Sequence, residues 1–295
     1  MTRAEMKSLV VILFVRLTLT LFTACSTEGY KPVIIVHGLF DGPKQFEILK
    51  RFITKSHPGT IVSVIDLYNH LFSLEPLWKQ VEGFKNAVYP IMQSATDGIH
   101  LICFSQGGLV CRGLIATLDN HNVHSLILLS SPLAGQYGDT AYLKLFPKLL
   151  KSEIYRFCYT RWGQRVSICN YWNDPHQRER YLKTGSFLAQ LNGETAHQNS
   201  TRWRENVLRI KTLILIGGPD DGVITPWQSS LFGFYDKNEN IVGMKDMDWY
   251  IKDVFGLKTL HSRGDLKEYI YSGVLHTKWH ANYTVYNESI DEWLT

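Results

Sequence analysis

The sequence predicts an α/β protein, in which helices cover both faces of a mostly parallel central sheet. Short apolar runs rich in β-branched residues alternate with longer stretches of helical spacing. Polar residues directly follow several of these runs. With 295 residues and 45% hydrophobic content, the chain can bury one large core, so we expect one folded domain.

The apolar runs give the predicted strands in chain order. They cover residues 33–36, 61–65, 99–104, 125–129, 213–216 and 269–274. Helices are predicted over residues 77–92 and over the segment after Ser105. Ligands of such sheets bind beyond the carboxyl ends of the strands. Five polar residues are therefore expected at one edge of the sheet, namely His37, Ser105, Ser130, Asp220 and Asp221.

Residues 1–26 are typical of a secretory signal peptide. Arg3 and Lys7 precede an apolar stretch that ends near residue 22, and small residues follow it. Arg16 interrupts this stretch, which leaves runs too short to span a bilayer and makes a permanent anchor the less favoured alternative. We expect a mature chain over residues 27–295 with no stable membrane anchor.

Three sequons support a route through the secretory pathway. Asn199, Asn282 and Asn287 each begin an Asn-x-Ser/Thr triplet without a central proline. Each triplet is weak by itself, because such triplets arise by chance. Together with the signal peptide they predict glycosylation at surface positions.

Four cysteines remain once the signal peptide is removed, and an even number suits an oxidising compartment. Cys103 ends a predicted strand and Cys111 lies on the helix that returns beside it, so a bridge between them is geometrically reasonable. Cys158 then pairs with Cys169. The alternative is four reduced thiols in the core.

The charge pattern and the motifs exclude several classes of function. The formal net charge of +4 is small and scattered, which does not favour nucleic-acid binding. The sequence has no glycine-rich phosphate cradle, no metal-spaced His/Cys cluster and no dinucleotide fingerprint, so we expect no cofactor and no metal. The oligomeric state does not follow from the sequence.

Ser105 is the candidate nucleophile. It lies in Cys103-Phe104-Ser105-Gln106-Gly107-Gly108, where an apolar strand breaks into a turn before a helix. Such a nucleophile elbow exposes the serine oxygen and aims helical N–H groups at a developing oxyanion. Cys103 stands where the usual motif has glycine, and the alternative is an ordinary loop serine after a buried strand.

The other members of a catalytic triad follow in the order expected of the α/β-hydrolase fold. Asp221 follows the strand at 213–216 and is favoured over Asp220 as the acid, because it precedes Gly-Val in the place expected for this fold. His276, just past the last predicted strand, is favoured over His280 as the base. The backbone N–H groups of Leu39 and Gln106 are the expected oxyanion donors.

The alternation stops between about residues 133 and 209, and we expect an inserted helical lid there. The segment is rich in arginine and in aromatic residues, which are Tyr137, Tyr142, Phe146, Tyr155, Phe157, Tyr159, Trp162, Tyr171 and Trp172. These rings either line a channel for an acyl chain or form the small core of the lid itself. Both interpretations stay open.

The motifs around His37, Ser105, Asp221 and His276 resemble those of the palmitoyl-protein thioesterases. The similarity covers nearly the whole mature chain, and the stretch from Gly217 to Ser230 is highly specific. It implies an α/β-hydrolase fold, a soluble lysosomal glycoprotein, and hydrolysis of S-acyl thioesters such as palmitoyl-CoA. It also implies the roles expected above for Ser105, Asp221 and His276.

The resemblance leaves one departure and two competing functions. A member of the family has a further cysteine pair near the C-terminus, where this chain has Tyr269 and Ser289, so that bridge is absent. The leading hypothesis is an acyl-thioester hydrolase that works through an acyl-serine intermediate. The alternatives are an oxygen-ester lipase with the same triad and a catalytically silent lipid-binding protein of the same fold.

Overall fold

The predicted parallel sheet is present in the computed structural model, which describes residues 29–138 and 151–295. Its strands are β1 (Val33–Val36), β2 (Val62–Val64), β3 (Ile99–Phe104), β4 (Val123–Leu129), β5 (Thr212–Gly217) and β8 (Leu266–Ile270). They lie in the order β2-β1-β3-β4-β5-β8, and every neighbouring pair is parallel. A separate hairpin pairs β6 (Phe234–Tyr235) with β7 (Ile241–Val242).

Helices connect these strands. The α-helices of the described residues are α1 (Glu47–Ser56), α2 (Leu77–Ser94), α3 (Gln106–Thr117), α4 (Tyr155–Cys158), α5 (Ser167–Tyr171), α6 (Arg178–Thr184), α7 (Phe187–Leu191), α8 (Ser200–Val207), α9 (Asp248–Ile251), α10 (Leu257–Ser262) and α11 (Tyr283–Ser289). Short 3-10 helices cover Pro43–Phe46, His70–Leu74, Gly163–Arg165, Trp227–Leu231, Met244–Asp246, His276–Ala281 and Asp291–Trp293.

Both faces of the sheet are buried. Successive side chains of a strand point to opposite faces, so each strand contributes to two cores. Ile34 and Val36 of β1 belong to a core that includes the apolar residues of α2 and α3. Val33 and Ile35 belong to a second core that includes residues of α1 and α11. Strands buried on both faces read as continuous apolar runs, which explains why they are visible in the sequence.

The last strand of the sheet begins and ends earlier than predicted. The sequence predicted a strand over 269–274, whereas β8 covers Leu266–Ile270 and pairs with β5 up to Gly217. Beyond this point Gly273 adopts a φ of +76° and turns the chain away. His276 therefore does not follow the strand at once. It begins the 3-10 helix His276–Ala281 after an intervening loop.

The described residues between β4 and β5 contain the five helices α4 to α8, joined by turns and loops. Tyr142 and Phe146 lie outside the described residues. Tyr137, Tyr171 and Trp172 are buried, and the rings of Tyr137 and Trp172 lie 5.6 Å apart, so these aromatic residues pack within the protein. Phe157 and Trp162 are instead exposed. A lid function for this segment remains a prediction.

Two further expectations concern membranes and the N-terminus. Within residues 29–138 and 151–295, no helix combines the length and the apolar character needed to cross a bilayer. The predicted signal peptide, residues 1–26, lies outside the described residues.

Candidate active site

Ser105 lies at a sharp turn between β3 and α3. Its φ of +53° and ψ of −129° belong to neither helix nor strand, and few residues other than glycine adopt a positive φ. A serine held in this strained conformation between a parallel strand and a helix has the backbone geometry of a nucleophile elbow. The structure therefore has the turn expected from the motif, although Cys103 replaces the first glycine.

Two glycines allow the loop after β1 to approach this turn. A Cβ atom on Gly107 would lie 2.5 Å from the carbonyl oxygen of His37, closer than real atoms come. A Cβ atom on Gly38 would lie 2.7 Å from the Cβ of Ser105. The absence of side chains at these two positions brings the loop at 37–42 directly against the serine.

His276 and Asp221 extend from Ser105 as one chain of hydrogen bonds. The Nε2 atom of His276 lies 2.9 Å from Ser105 Oγ, and its Nδ1 atom lies 2.8 Å from Asp221 Oδ2. All three side chains are buried. The structure thus brings together three residues that are separated by up to 171 positions in the sequence. This arrangement allows the imidazole to accept the serine proton while the carboxylate holds the ring in place.

The Asp221 carboxylate has several donors besides His276. The backbone N–H groups of Val223 and Ile224 donate to Oδ1 at 3.0 and 2.7 Å. Ser130 Oγ and Trp279 Nε1 donate to Oδ2 at 2.5 and 2.6 Å. Burial opposes ionisation of this carboxyl group, but the hydrogen bonds, first of all the one from His276, outweigh it and keep the pKa of Asp221 below its usual value.

The residues that the sequence left as alternatives lie beside the triad but outside it. Asp220 Oδ2 accepts a hydrogen bond from the backbone N–H of Gly273 at 2.7 Å, so it fixes the loop that leads to His276. The ring of His280 is buried between Phe46 and Phe104, at centroid distances of 5.0 and 5.2 Å. Among the described residues, neither ring nitrogen of His280 has a hydrogen-bond partner.

The expected oxyanion donors flank Ser105. Gln106 is the first residue of α3, where backbone N–H groups lack partners within the helix. In the loop after β1, the N–H of Phe40 donates to Ser73 Oγ at 2.8 Å and is therefore occupied. The N–H of Leu39 forms no hydrogen bond within the described part of the chain. Leu39 and Gln106 therefore stay the predicted pair of oxyanion donors.

His37 organises the loop that carries Leu39. Its ring nitrogens lie 2.9 Å from the carbonyl oxygen of Gly38 and 2.8 Å from that of Leu67, and the side chain is buried. Both contacts are to backbone oxygens of loops, and neither is to Ser105. The interpretation of His37 as a structural residue agrees with this environment.

The two expected disulfides are present. Cys103 joins Cys111 and thereby ties the end of β3 to the second turn of α3, on either side of the elbow. Cys158 joins Cys169 and links α4 to α5 in the segment between β4 and β5. The first bridge constrains the turn that presents Ser105.

The C-terminal segment is held by hydrogen bonds where a family member has a further cysteine pair. Tyr269 Oη donates to Glu292 Oε1 at 2.7 Å and accepts from Trp293 Nε1 at 3.1 Å. Ser289 Oγ donates to the carbonyl oxygen of Val285 within α11. The two contacts of Tyr269 connect β8 to the 3-10 helix Asp291–Trp293 without a covalent bridge.

The three sequons differ in exposure. Asn199 and Asn287 are exposed, as predicted for acceptor sites. Asn282 is less exposed, being half-buried, and its Oδ1 accepts a hydrogen bond from the N–H of Val285, which caps α11. Asn199 and Asn287 are therefore the better candidates for glycosylation.

Ser130 and Trp279 both contact Asp221, although no sequence pattern predicts a role for either of them. Ser130 directly follows β4 and has a φ of +44°, and Trp279 lies three residues after His276 in the same 3-10 helix. The position of Ser130 after a strand placed it at the correct edge. No local pattern, however, shows that two distant side chains share one carboxylate.

Comparison with known proteins identifies the family. Residues 32–276 match the family model for palmitoyl protein thioesterase. The chain is 55% identical to rat lysosomal thioesterase PPT2 over 98% of this chain and 96% of that protein. It is 55% identical to the human protein over 97% and 95%, and 39% identical to the Drosophila melanogaster PPT2 homolog over 90% and 92%.

A solved structure supports the fold alone. Lipase BlEst2 of Bacillus licheniformis is 13% identical to this chain and superimposes with a TM-score of 0.52 over 90% of this chain and 93% of the lipase. The family rests on the sequence matches, which span the elbow, the loop after β5 and His276. The chain belongs to the palmitoyl protein thioesterase family.

Proposed function

We propose that this protein is a lysosomal serine thioesterase that hydrolyses long-chain S-acyl thioesters such as palmitoyl-CoA. The observation that supports hydrolase activity is the continuous hydrogen-bonded path from Ser105 Oγ through His276 to Asp221. The thioester as substrate class follows from the family and from the lysosomal thioesterases that this chain resembles over nearly its whole length. Palmitoyl-CoA is the specific substrate that we propose for testing.

The first half of the reaction forms an acyl-serine. His276 Nε2 accepts the proton of Ser105 Oγ as this oxygen attacks the thioester carbonyl carbon. The carbonyl oxygen becomes an oxyanion, which the N–H groups of Leu39 and Gln106 stabilise. When the C–S bond breaks, the sulfur leaves as a thiol after it receives the proton from His276.

The second half releases the fatty acid. A water molecule gives a proton to His276 and attacks the acyl-serine carbonyl carbon, which forms a second oxyanion at the same two N–H groups. The bond to Ser105 Oγ then breaks, and His276 returns the proton to this oxygen. The products are a fatty acid and a free thiol, and the enzyme is unchanged.

The proposal extends to the maturation of the chain. We propose cleavage of a signal peptide near residue 26. We also propose glycosylation at Asn199 and Asn287, because these two side chains are exposed. We also propose that the segment at about 133–209 covers the site as a lid. Mass spectrometry of the protein secreted by animal cells would locate the mature N-terminus and the glycans.

Purified mature protein tests the proposed activity. It should release thiol from palmitoyl-CoA faster than it hydrolyses an oxygen ester with the same acyl chain, and a fluorophosphonate should label it. Ser105→Ala should lose hydrolysis by a thousandfold or more and should not be labelled. Ser289→Ala also removes a buried serine hydroxyl, but outside the site, and should keep both activities.

Each alternative function predicts a different result. A preference for the oxygen ester would identify an esterase or lipase with the same triad. A folded protein that neither turns over substrate nor reacts with the probe would be a silent member of the fold. Activity in Ser105→Ala above a tenth of that of the unmodified protein would remove Ser105 from the mechanism.

A further inference from the structure

The Oδ2 atom of Asp221 is shared by three donors. His276 Nδ1 lies 2.8 Å from it, Trp279 Nε1 lies 2.6 Å away, and Ser130 Oγ lies 2.5 Å away. Trp279 is 1% exposed and Asp221 is 3% exposed, so water does not compete effectively for this atom. The two additional donors are neutral and keep their protons at any pH at which the enzyme works.

The backbone fixes both donors close to the carboxylate. Ser130 adopts a φ of +44° immediately after β4, which is an uncommon conformation for a residue with a Cβ atom. Its N–H is fixed by the carbonyl oxygen of Ile216 at 2.7 Å. Trp279 follows His276 by one turn of the same 3-10 helix. One short helix thus brings both the imidazole and the indole N–H to Asp221.

When several donors share one carboxylate, each of them is stabilised less by its negative charge. A carboxylate close to an imidazole stabilises the imidazolium and so favours the protonated base. Each N–H or O–H that already donates to the carboxylate stabilises its negative charge and weakens this effect. Ser130 Oγ also lies 3.3 Å from His276 Nδ1, but this contact is longer than its 2.5 Å hydrogen bond to Asp221, so we expect its effect on the carboxylate to dominate.

We propose that Ser130 and Trp279 are positioning residues that hold Asp221 and lower the pH at which His276 becomes an effective base. This inference rests on the proposed function, because it assigns His276 as the base of a lysosomal enzyme. An acidic compartment protonates an ordinary histidine for much of the time. A base that loses its proton at lower pH retains more activity there.

Other charged or titratable groups also face His276. Asp41 lies in the loop after β1, and its carboxylate favours the imidazolium. His280 lies in the same 3-10 helix, and its protonation would disfavour the imidazolium. Ser105 Oγ contacts Nε2. None of these groups changes in the variants described next, so a shift in Trp279→Phe reports the loss of a donor to Asp221. In Ser130→Ala the shift also includes the loss of the 3.3 Å contact between Ser130 Oγ and His276 Nδ1.

Trp279→Phe and Ser130→Ala test the inference. The first removes the indole N–H and keeps an aromatic ring, and the second removes one hydroxyl. The readouts are kcat/KM for palmitoyl-CoA and the rate of fluorophosphonate labelling between pH 4.5 and 8. In each variant, the midpoint of the acid limb should move upward, by about one pH unit in Trp279→Phe. Activity at pH 5 should then fall about tenfold relative to activity at pH 8.

Two matched controls make the same substitutions away from the site. Trp249 is buried, and its Nε1 donates to the carbonyl oxygen of Phe232 at 3.2 Å. Ser289 is buried and donates to a backbone carbonyl oxygen in α11. Trp249→Phe and Ser289→Ala should leave the midpoint where it is in the unmodified protein.

The result that overturns the inference is a loss of activity by the same factor at every pH, with an unchanged midpoint. Such a loss would mean that Ser130 and Trp279 only fill space. Circular dichroism at pH 5 and 8 verifies the fold, and if Trp279→Phe does not fold, the midpoint of Ser130→Ala decides. If the unmodified protein neither turns over substrate nor is labelled, the proposed function itself fails.

Discussion

His280 should make the protein less stable in acid than at neutral pH. Its ring is 6% exposed and lies between two phenylalanines, with no hydrogen-bond partner on either nitrogen in the described structure. Burial, together with the positive charges of His276 and Lys278, lowers the pKa of His280 to about 4. The perturbation that tests this is His280→Leu, which removes the titrating group and keeps an apolar side chain.

The sign of the effect follows from proton binding. In the unfolded chain a histidine has a pKa of about 6.5, so it binds a proton between pH 6.5 and 4 while His280 in the folded protein does not. Protonation therefore stabilises the unfolded state in this interval. The contribution of His280 to stability is highest above pH 6.5 and falls as the pH decreases toward 4.

The magnitude follows from the two pKa values. At pH 5, protonation of the unfolded chain at this one residue lowers the free energy of unfolding by about 2 kcal/mol relative to pH 8. In His280→Leu this penalty is absent. The free energy of unfolding of the variant, minus that of the unmodified protein, should therefore be about 2 kcal/mol more favourable at pH 5 than at pH 8.

Denaturant titrations at both pH values measure this difference. Changes in packing act equally at pH 5 and pH 8 and cancel in the comparison. Phe234→Leu is the matched control, because Phe234 is a buried phenylalanine whose ring contacts Tyr235 and not His280, and it carries no titrating proton. It should lower stability by the same amount at both pH values. An equal effect of His280→Leu at pH 5 and pH 8 would refute the reasoning.

Two other predictions test the site and the insertion. Asp221→Asn should reduce kcat/KM for palmitoyl-CoA far more than Asp220→Asn, and the reverse order would reassign the acid. Replacing Cys158 and Cys169 together by alanine should lower the free energy of unfolding by about 3 kcal/mol, as measured by denaturant titration, and no change would show that the bridge is redundant.

The sequence was sufficient for the sheet because its signal is local. Strands β1, β3, β4 and β5 are largely buried on both faces, and such a strand appears as a mostly apolar run. The edge strand β2 reads Val-Ser-Val and is only partly buried. The edge strand β8 has solvent on part of its surface and reads Leu-Lys-Glu-Tyr-Ile, so its signal is weaker. The prediction at 269–274 was therefore too late in the chain, although the strand itself was expected.

The candidate triad was predictable for a related reason. Parallel strands end at one edge of the sheet, so residues that follow β3, β5 and β8 approach each other whatever their separation in the chain. The motif order then selects Ser105, Asp221 and His276. The choice between His276 and His280 depended on loop geometry, and the structure shows His276, not His280, within hydrogen-bond distance of Ser105 Oγ.

The number of donors around a buried acceptor could not be predicted from the sequence. Ser130 and Trp279 come from the end of β4 and from the last 3-10 turn before α11, and each has an ordinary structural interpretation by itself. Their meaning depends on distances to Asp221 that only the folded chain defines. A triad is named by three side chains, but the pH at which its base works depends on every group that shares the carboxylate. For this reason the pH midpoints of Ser130→Ala and Trp279→Phe give more information about adaptation to an acidic compartment than the activity lost in a triad variant.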